Sequence, residues 1–205
     1  MAGSWVFLKS TAGTGSSDTL DSGTWTGDYK YLRVVCFSEA TGGAIQSNIR
    51  FNGTGSSDND YCFSHSKNGS SDTSRLSHSD IEPYQTATHG TGTSSLVVLD
   101  ILNILNREKL VQGHTVKQGT VGAGTAPDRV EFVGKYVDNA LITSVQFCNN
   151  GGDSGSFSTN STVTVWGADD APLTYPSLPN GSVFITSDTN VHYMWNGTDT
   201  WNEVA

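Results

Sequence analysis

Along this chain, apolar residues come in short runs, several of which alternate with polar residues at a period of two. The runs stop at clusters of Gly, Ser, Thr, Asn and Asp. That pattern predicts strands, because successive side chains of a strand point to opposite faces. Residues 5–9 make a short apolar start, and residues 29–37 (YKYLRVVCF) are rich in aromatic and β-branched side chains. Residues 45–51 alternate, with Ile45, Ser47, Ile49 and Phe51 on one face. Further strands are expected over 60–65, 95–105, 110–117, 130–137, 141–147 and 161–166. Residues 95–105 are the most apolar run, and their Val and Ile content favours strand over a short helix. Residues 106–109 (NREK) then read as a hairpin loop. No stretch carries a helical period over three turns.

Many short strands between turn-rich loops predict an all-β fold, an antiparallel sandwich of jelly-roll type over residues 1–169. Each strand would send one row of side chains into a core between two sheets, with Ser and Thr facing water. The pattern then changes. Residues 170–179 (DAPLTYPSLP) hold three of the five prolines, so residues 170–180 read as an extended connector. Residues 181–205 follow as a three-stranded meander, with strands at 182–186, 190–195 and 200–204. So small a unit cannot enclose a full core. Its aromatics Phe184, Tyr193, Trp195 and Trp201 must cover each other, the sandwich or a neighbouring chain.

Composition narrows the function. Charged residues are only 15% of the chain, and 23 glycines with many Ser, Thr and Asn supply the polarity, which suits strands and turns better than surface helices. The net charge of -9 argues against wrapping nucleic acid, which needs a basic face. No apolar run approaches the ~20 residues of a membrane-spanning helix. The start, MAGSWVFLKS, lacks the basic stretch and apolar core of a secretory signal. Cys36, Cys62 and Cys148 have neither metal-like spacing nor an even count, so reduced, buried thiols are expected, as suits a reducing cytoplasm. Sequons begin at Asn52, Asn68, Asn160, Asn180 and Asn196, and four of them are Asn-Gly-Ser or Asn-Gly-Thr, which read as turns.

Candidate chemistry is sparse. The string GGDSGS (151–156) resembles the nucleophile motif of chymotrypsin-like serine proteases, with TATHG around His89 and LDIL around Asp100 in the right order. The chemistry would need Ser154 as nucleophile, His89 as base and Asp100 as orienter. His89 and Asp100 lie only eleven positions apart, whereas that family places several strands between them, and the polar tract NNGGDSGSFSTNS suits a loop. Asp58 and Asp60 could offer oxygen ligands to calcium, but no full EF-hand pattern surrounds them and a solvated turn is the simpler reading. His65, His78, His89, His114 and His192 show no metal-ligand spacing, and no phosphate-binding GxGxxG opens a helix. No cofactor is expected.

The segments IRFNGTGSSDNDYCFSHSKNG, REKLVQGHTV, APDRVEFVGKYVDNALITSVQF and STVTVWGAD resemble small virion proteins of tailed phages, marine ones especially. The opening SWVFLKSTAGTGSSDTLDSGTW resembles their usual start, and LPNGSVFITSDTNVHYMWNGTDTWNEVA is similar to a tail shared by several phage appendage proteins. The resemblance implies a jelly-roll-like virion component without catalytic activity, of appendage, fibre or capsid-surface type. It places GGDSGS in the loop before the last sandwich strand. The expected function is structural: a protein on the virion surface, assembled in the host cytoplasm, touching other virion proteins and copies of itself in a homotrimer or another symmetric oligomer. The alternative is a lectin-like module of a tail fibre that binds host surface glycans. Tyr193, Trp195, Trp201 and Trp25 are the candidate partner or glycan contacts, since large aromatics bury the most area and stack on sugar faces.

Overall fold

A computed structural model of the protein describes residues 5–54, 59–69, 72–83, 90–149, 153–169, 183–185, 192–196 and 201–204. The chain divides into two compact units, residues 2–170 and residues 171–205. The first unit holds β1 (Val6–Ala12), β2 (Thr19–Asp21), β3 (Tyr31–Thr41), β4 (Ser47–Phe51), β5 (Tyr61–Lys67) and β6 (Thr73–His78). It continues with β7 (Ser94–Leu102), β8 (Lys109–Lys117), β9 (Asp128–Tyr136), β10 (Val145–Asn149), β11 (Ser156–Phe157) and β12 (Thr162–Ala168). No helix occurs among the described residues.

The large sheet runs β1-β12-β3-β7-β8-β9-β5-β6, and β11 pairs with the far end of β3. The small sheet is β2-β10-β4. All these strand pairs are antiparallel. The fold is thus the all-β antiparallel sandwich that the alternation predicts. Its strands are shared unevenly, and this pairing does not by itself spell out a jelly roll.

The core lies between the two sheets. Leu32, Val34 and Cys36 of β3 and Val97, Leu99 and Ile101 of β7 cluster with Ile49 and Phe51 of β4 and Val145 and Phe147 of β10. The alternation of β3 is visible in its burial: every second residue from Leu32 to Ala40 is buried. Burial pushes the Cys36 thiol far up and the Cys148 thiol up to about 12, while Cys62 is only half-buried. Ile45, Ile49 and Phe51 are fully buried as the alternation predicts, with Ser47 at the margin.

Two Asn-Gly pairs make the turns their sequence predicts. Asn52-Gly53 and Asn68-Gly69 all have positive φ, the geometry of a tight turn; the second lies between the paired strands β5 and β6, while the first leaves β4 for the other sheet. Residues 141–144 differ from the expectation, since β10 begins only at Val145. Side chains bind their backbone in place of a strand: Ile142 N–H donates to Asn103 Oδ1 and Thr143 N–H to Asn52 Oδ1, each at 2.8 Å. The alternation does not predict the short strands β2, β6 and β11.

In the second unit, β13 (Val183–Ile185), β14 (His192–Trp195) and β15 (Trp201–Val204) form an antiparallel meander. Its register pairs Phe184 with Tyr193 and Trp195 with Trp201. The expected connector, residues 170–180, lies outside the described residues.

Candidate functional site

The outer face of the large sheet, away from the core, departs from the Ser/Thr surface expected of it. Strand register sets its rows. One row crosses from Arg33 through Asp100, Gln112 and Val133 to Ser64 and Ser74. The next row toward one end of the strands is Tyr31, Leu102, Leu110, Lys135 and Cys62. Toward the other end lie Val35, Val98, His114 and Glu131, then Phe37, Leu96, Val116 and Arg129. Leu110 and Val133 are more than half exposed, and Leu96 and Val116 about 40%. β7 is therefore apolar on both faces, and this explains why it was the most apolar run of the sequence.

The first two rows floor a trough of about 790 Å³, closed by Trp5 at the β1 side and by Arg75 and Leu76 of β6 at the other. Arg33 grips Asp100 through two bonds, Nε to Oδ1 at 2.8 Å and a terminal nitrogen to Oδ2 at 2.9 Å. Its guanidinium also lies 5.3 Å from the centre of the Trp5 ring, a cation–π contact that holds the indole at the trough. Lys135 is matched by Glu108 at 2.9 Å.

A second polar cluster sits where the chain leaves β6. His78, Asp80 and Glu82 bring one ligand atom each to within 4.8 Å of one another. Asp80 is fully buried and accepts from Asn48 Nδ2 at 3.2 Å and from Arg50 at 3.1 Å. His78 lies 3.2 Å from Asp80 and 3.6 Å from Glu82. Burial pushes the Glu82 carboxyl above its usual range, and His78 pulls it back. The Arg50 guanidinium already supplies the positive charge that Asp80 needs, so the cluster is an ion-pair network tying the end of β6 to β4. A metal ion would have to compete with it.

The protease-like residues do not come together. Asp100 is taken by Arg33 in mid-sheet. Ser154 lies beside Gly43, just past the far end of β3. The stretch of β3 from Arg33 to Thr41 separates them, roughly 26 Å at ordinary strand rise. His89 lies outside the described residues. The motif has a structural role in its place. Asn149 Nδ2 donates to the carbonyls of Asp153 and Gly155, and the Gly155 N–H donates to Ala44 O at 2.9 Å. A Cβ at Gly155 would stand 2.5 Å from the carbonyl oxygens of Gly43 and Ala44, so glycine is needed for this close approach.

Trp25 is corrected as a partner or glycan contact: at 4% exposure it belongs to the core, its backbone N–H donating to Thr143 O at 3.0 Å. Tyr193 is half-buried on β14. Trp195 and Trp201 are cross-strand partners in the meander. Asp60 uses its carbonyl to accept from Val137 N–H at 2.7 Å, and Asp58 lies outside the described residues. His65 is buried with its ring against Phe63, and desolvation lowers its pKa. His114 lies on the exposed outer face and His192 is exposed on β14. Sequence reasoning missed the trough and the Asp80 cluster, and the one available signal was the doubly apolar run of β7. Comparison with known proteins adds nothing to the geometry: no protein-family model, curated protein or solved structure matches the chain.

Proposed function

We propose that this protein is a non-enzymatic structural subunit of a tailed-phage exterior, a capsid-decoration or head/tail appendage protein that works through contacts with other virion proteins and with itself. The observation that carries the reading is the outer face of the large sheet. A strand that is apolar on both faces is normally covered on both. β7 has Val97, Leu99 and Ile101 inside and Leu96, Val98 and Leu102 outside, and Phe37 and Val116 flank Leu96. Exposed apolar groups gathered on one face mark a contact surface.

The sheet edges support contact through the face. Among the described residues, β1 and β6 are the outermost strands. β1 carries a bulge between Phe7 and Lys9, with a lysine on the strand. β6 carries Arg75, an irregular pairing with β5, and Ser77 at φ 51°. Bulges and charges of this kind guard an edge against pairing with another sheet. Free, buried Cys36 and Cys148 suit assembly in a reducing host cytoplasm. An electron-microscopy map of the intact particle tests the assignment. The chain is expected on the particle surface with the apolar end of that face, around Phe37, Leu96 and Val116, against a neighbouring subunit. Its absence from purified particles would overturn the proposal.

A further inference from the structure

We infer that the trough on the outer face binds a neutral oligosaccharide, with Trp5, Arg33, Asp100 and Gln112 as its principal contacts. The inference is independent of where the protein resides. It starts from the mixture of chemistry on the trough floor. Leu110 and Val133 present aliphatic surface in the same trough as the Trp5 ring, while Arg33, Asp100 and Gln112 stand side by side in one row across three adjacent strands. The Arg33–Asp100 pair is bidentate and the Trp5 indole rests against it, so both the planar polar groups and the ring are held in place before any ligand arrives. Gln112 is exposed, and its carboxamide makes no hydrogen bond to another described residue.

Three classes of occupant can be compared on these facts. A wholly apolar ligand would strip water from Arg33, Asp100 and Gln112 and return no hydrogen bond, an uncompensated cost. An anionic ligand would find no spare cation at the floor, where Arg33 is matched by Asp100 and Lys135 by Glu108; the exposed Arg75 at the wall would be its one unmatched cation among the lining residues, set against the Asp100 carboxylate on the floor. A pyranose chain satisfies both halves of the surface. Its C–H faces cover Trp5, Leu110 and Val133, and its hydroxyls give and accept hydrogen bonds with the row of planar groups. The volume of about 790 Å³ lies within the usual range for a ligand cleft. The residues differ from those the sequence suggested for a glycan, because Trp25 is buried.

The test is a calorimetric titration of the full chain with a panel of neutral hexasaccharides of gluco, manno and galacto configuration, backed by tryptophan fluorescence. At least one is expected to bind saturably. Asp100→Ala is expected to weaken it by about tenfold or more, the usual loss for a hydrogen bond to a charged group, and Trp5→Ala and Gln112→Ala each by about two- to tenfold. Val121→Lys, an exposed position between β8 and β9 that does not line the trough, is expected to leave it unchanged. Gln112→Ala removes an exposed side chain and keeps the test valid should Asp100→Ala disturb the sheet. The inference fails if no hexasaccharide binds. It fails equally if binding survives Trp5→Ala and Gln112→Ala undiminished, or if the trough takes up only an apolar dye or a protein partner.

Discussion

Gly113 shows how tightly single residues are fitted into this sandwich. It sits in the middle of β8, opposite Leu99 on one side and Phe132 on the other. A Cβ there would stand 2.5 Å from Phe132 Cζ and 2.6 Å from the Val98 carbonyl oxygen. The phenyl ring could turn aside, but the carbonyl belongs to the ladder and cannot. Gly113→Ala is therefore expected to destabilise the fold by about 1–3 kcal/mol, the usual cost of overpacking a filled core. Urea unfolding followed by tryptophan fluorescence measures it, and an unchanged midpoint would show that the sheet yields more easily than its packing implies. Trp25 teaches the complementary lesson. Within a Ser/Thr/Gly stretch its ring looked like a surface platform, yet one backbone bond to Thr143 turns it into the core. Side-chain type alone does not report burial when a loop folds inward.

At the scale of elements, legibility followed the strength of the alternation. β3 buries every second residue over most of its length, and its pattern is plain in the sequence. β6 is exposed or half-exposed at every position, so it has no apolar row to imprint a period, and it was missed. β2 and β11 are three and two residues long, too short to carry a period at all. The Asp80 cluster was illegible for a different reason. Asn48 and Arg50 come from β4, while Asp80 follows β6, and only the fold brings them together. The isolated bridge between Ile49 and Ile81 fixes that approach. Asp80→Ala would leave the largely buried Arg50 without its carboxylate. Breaking a buried pair from one side costs about 3–5 kcal/mol. A comparable loss is expected in denaturant unfolding, and a loss below about 1 kcal/mol, the size typical of an exposed pair, would show that water reaches the cluster.

For the whole molecule, the decisive contrast lies between the two faces of one sheet. The inner face is a core of the expected kind. The outer face combines apolar rows with a trough crossed by a polar row, and neither was read from the sequence, because register across six strands is needed to assemble them. The apolar excess of β7 was visible, but one strand cannot say which of its faces is open. The guarded edges direct association away from strand addition and toward face-to-face contact. Sedimentation velocity of the full chain over a wide concentration range, alongside the double variant Leu96→Lys, Val116→Lys, tests this most directly. The account predicts a discrete symmetric oligomer for the natural sequence and a folded monomer for the variant. A natural chain that stays monomeric at every concentration, or an oligomer indifferent to the two lysines, would contradict it.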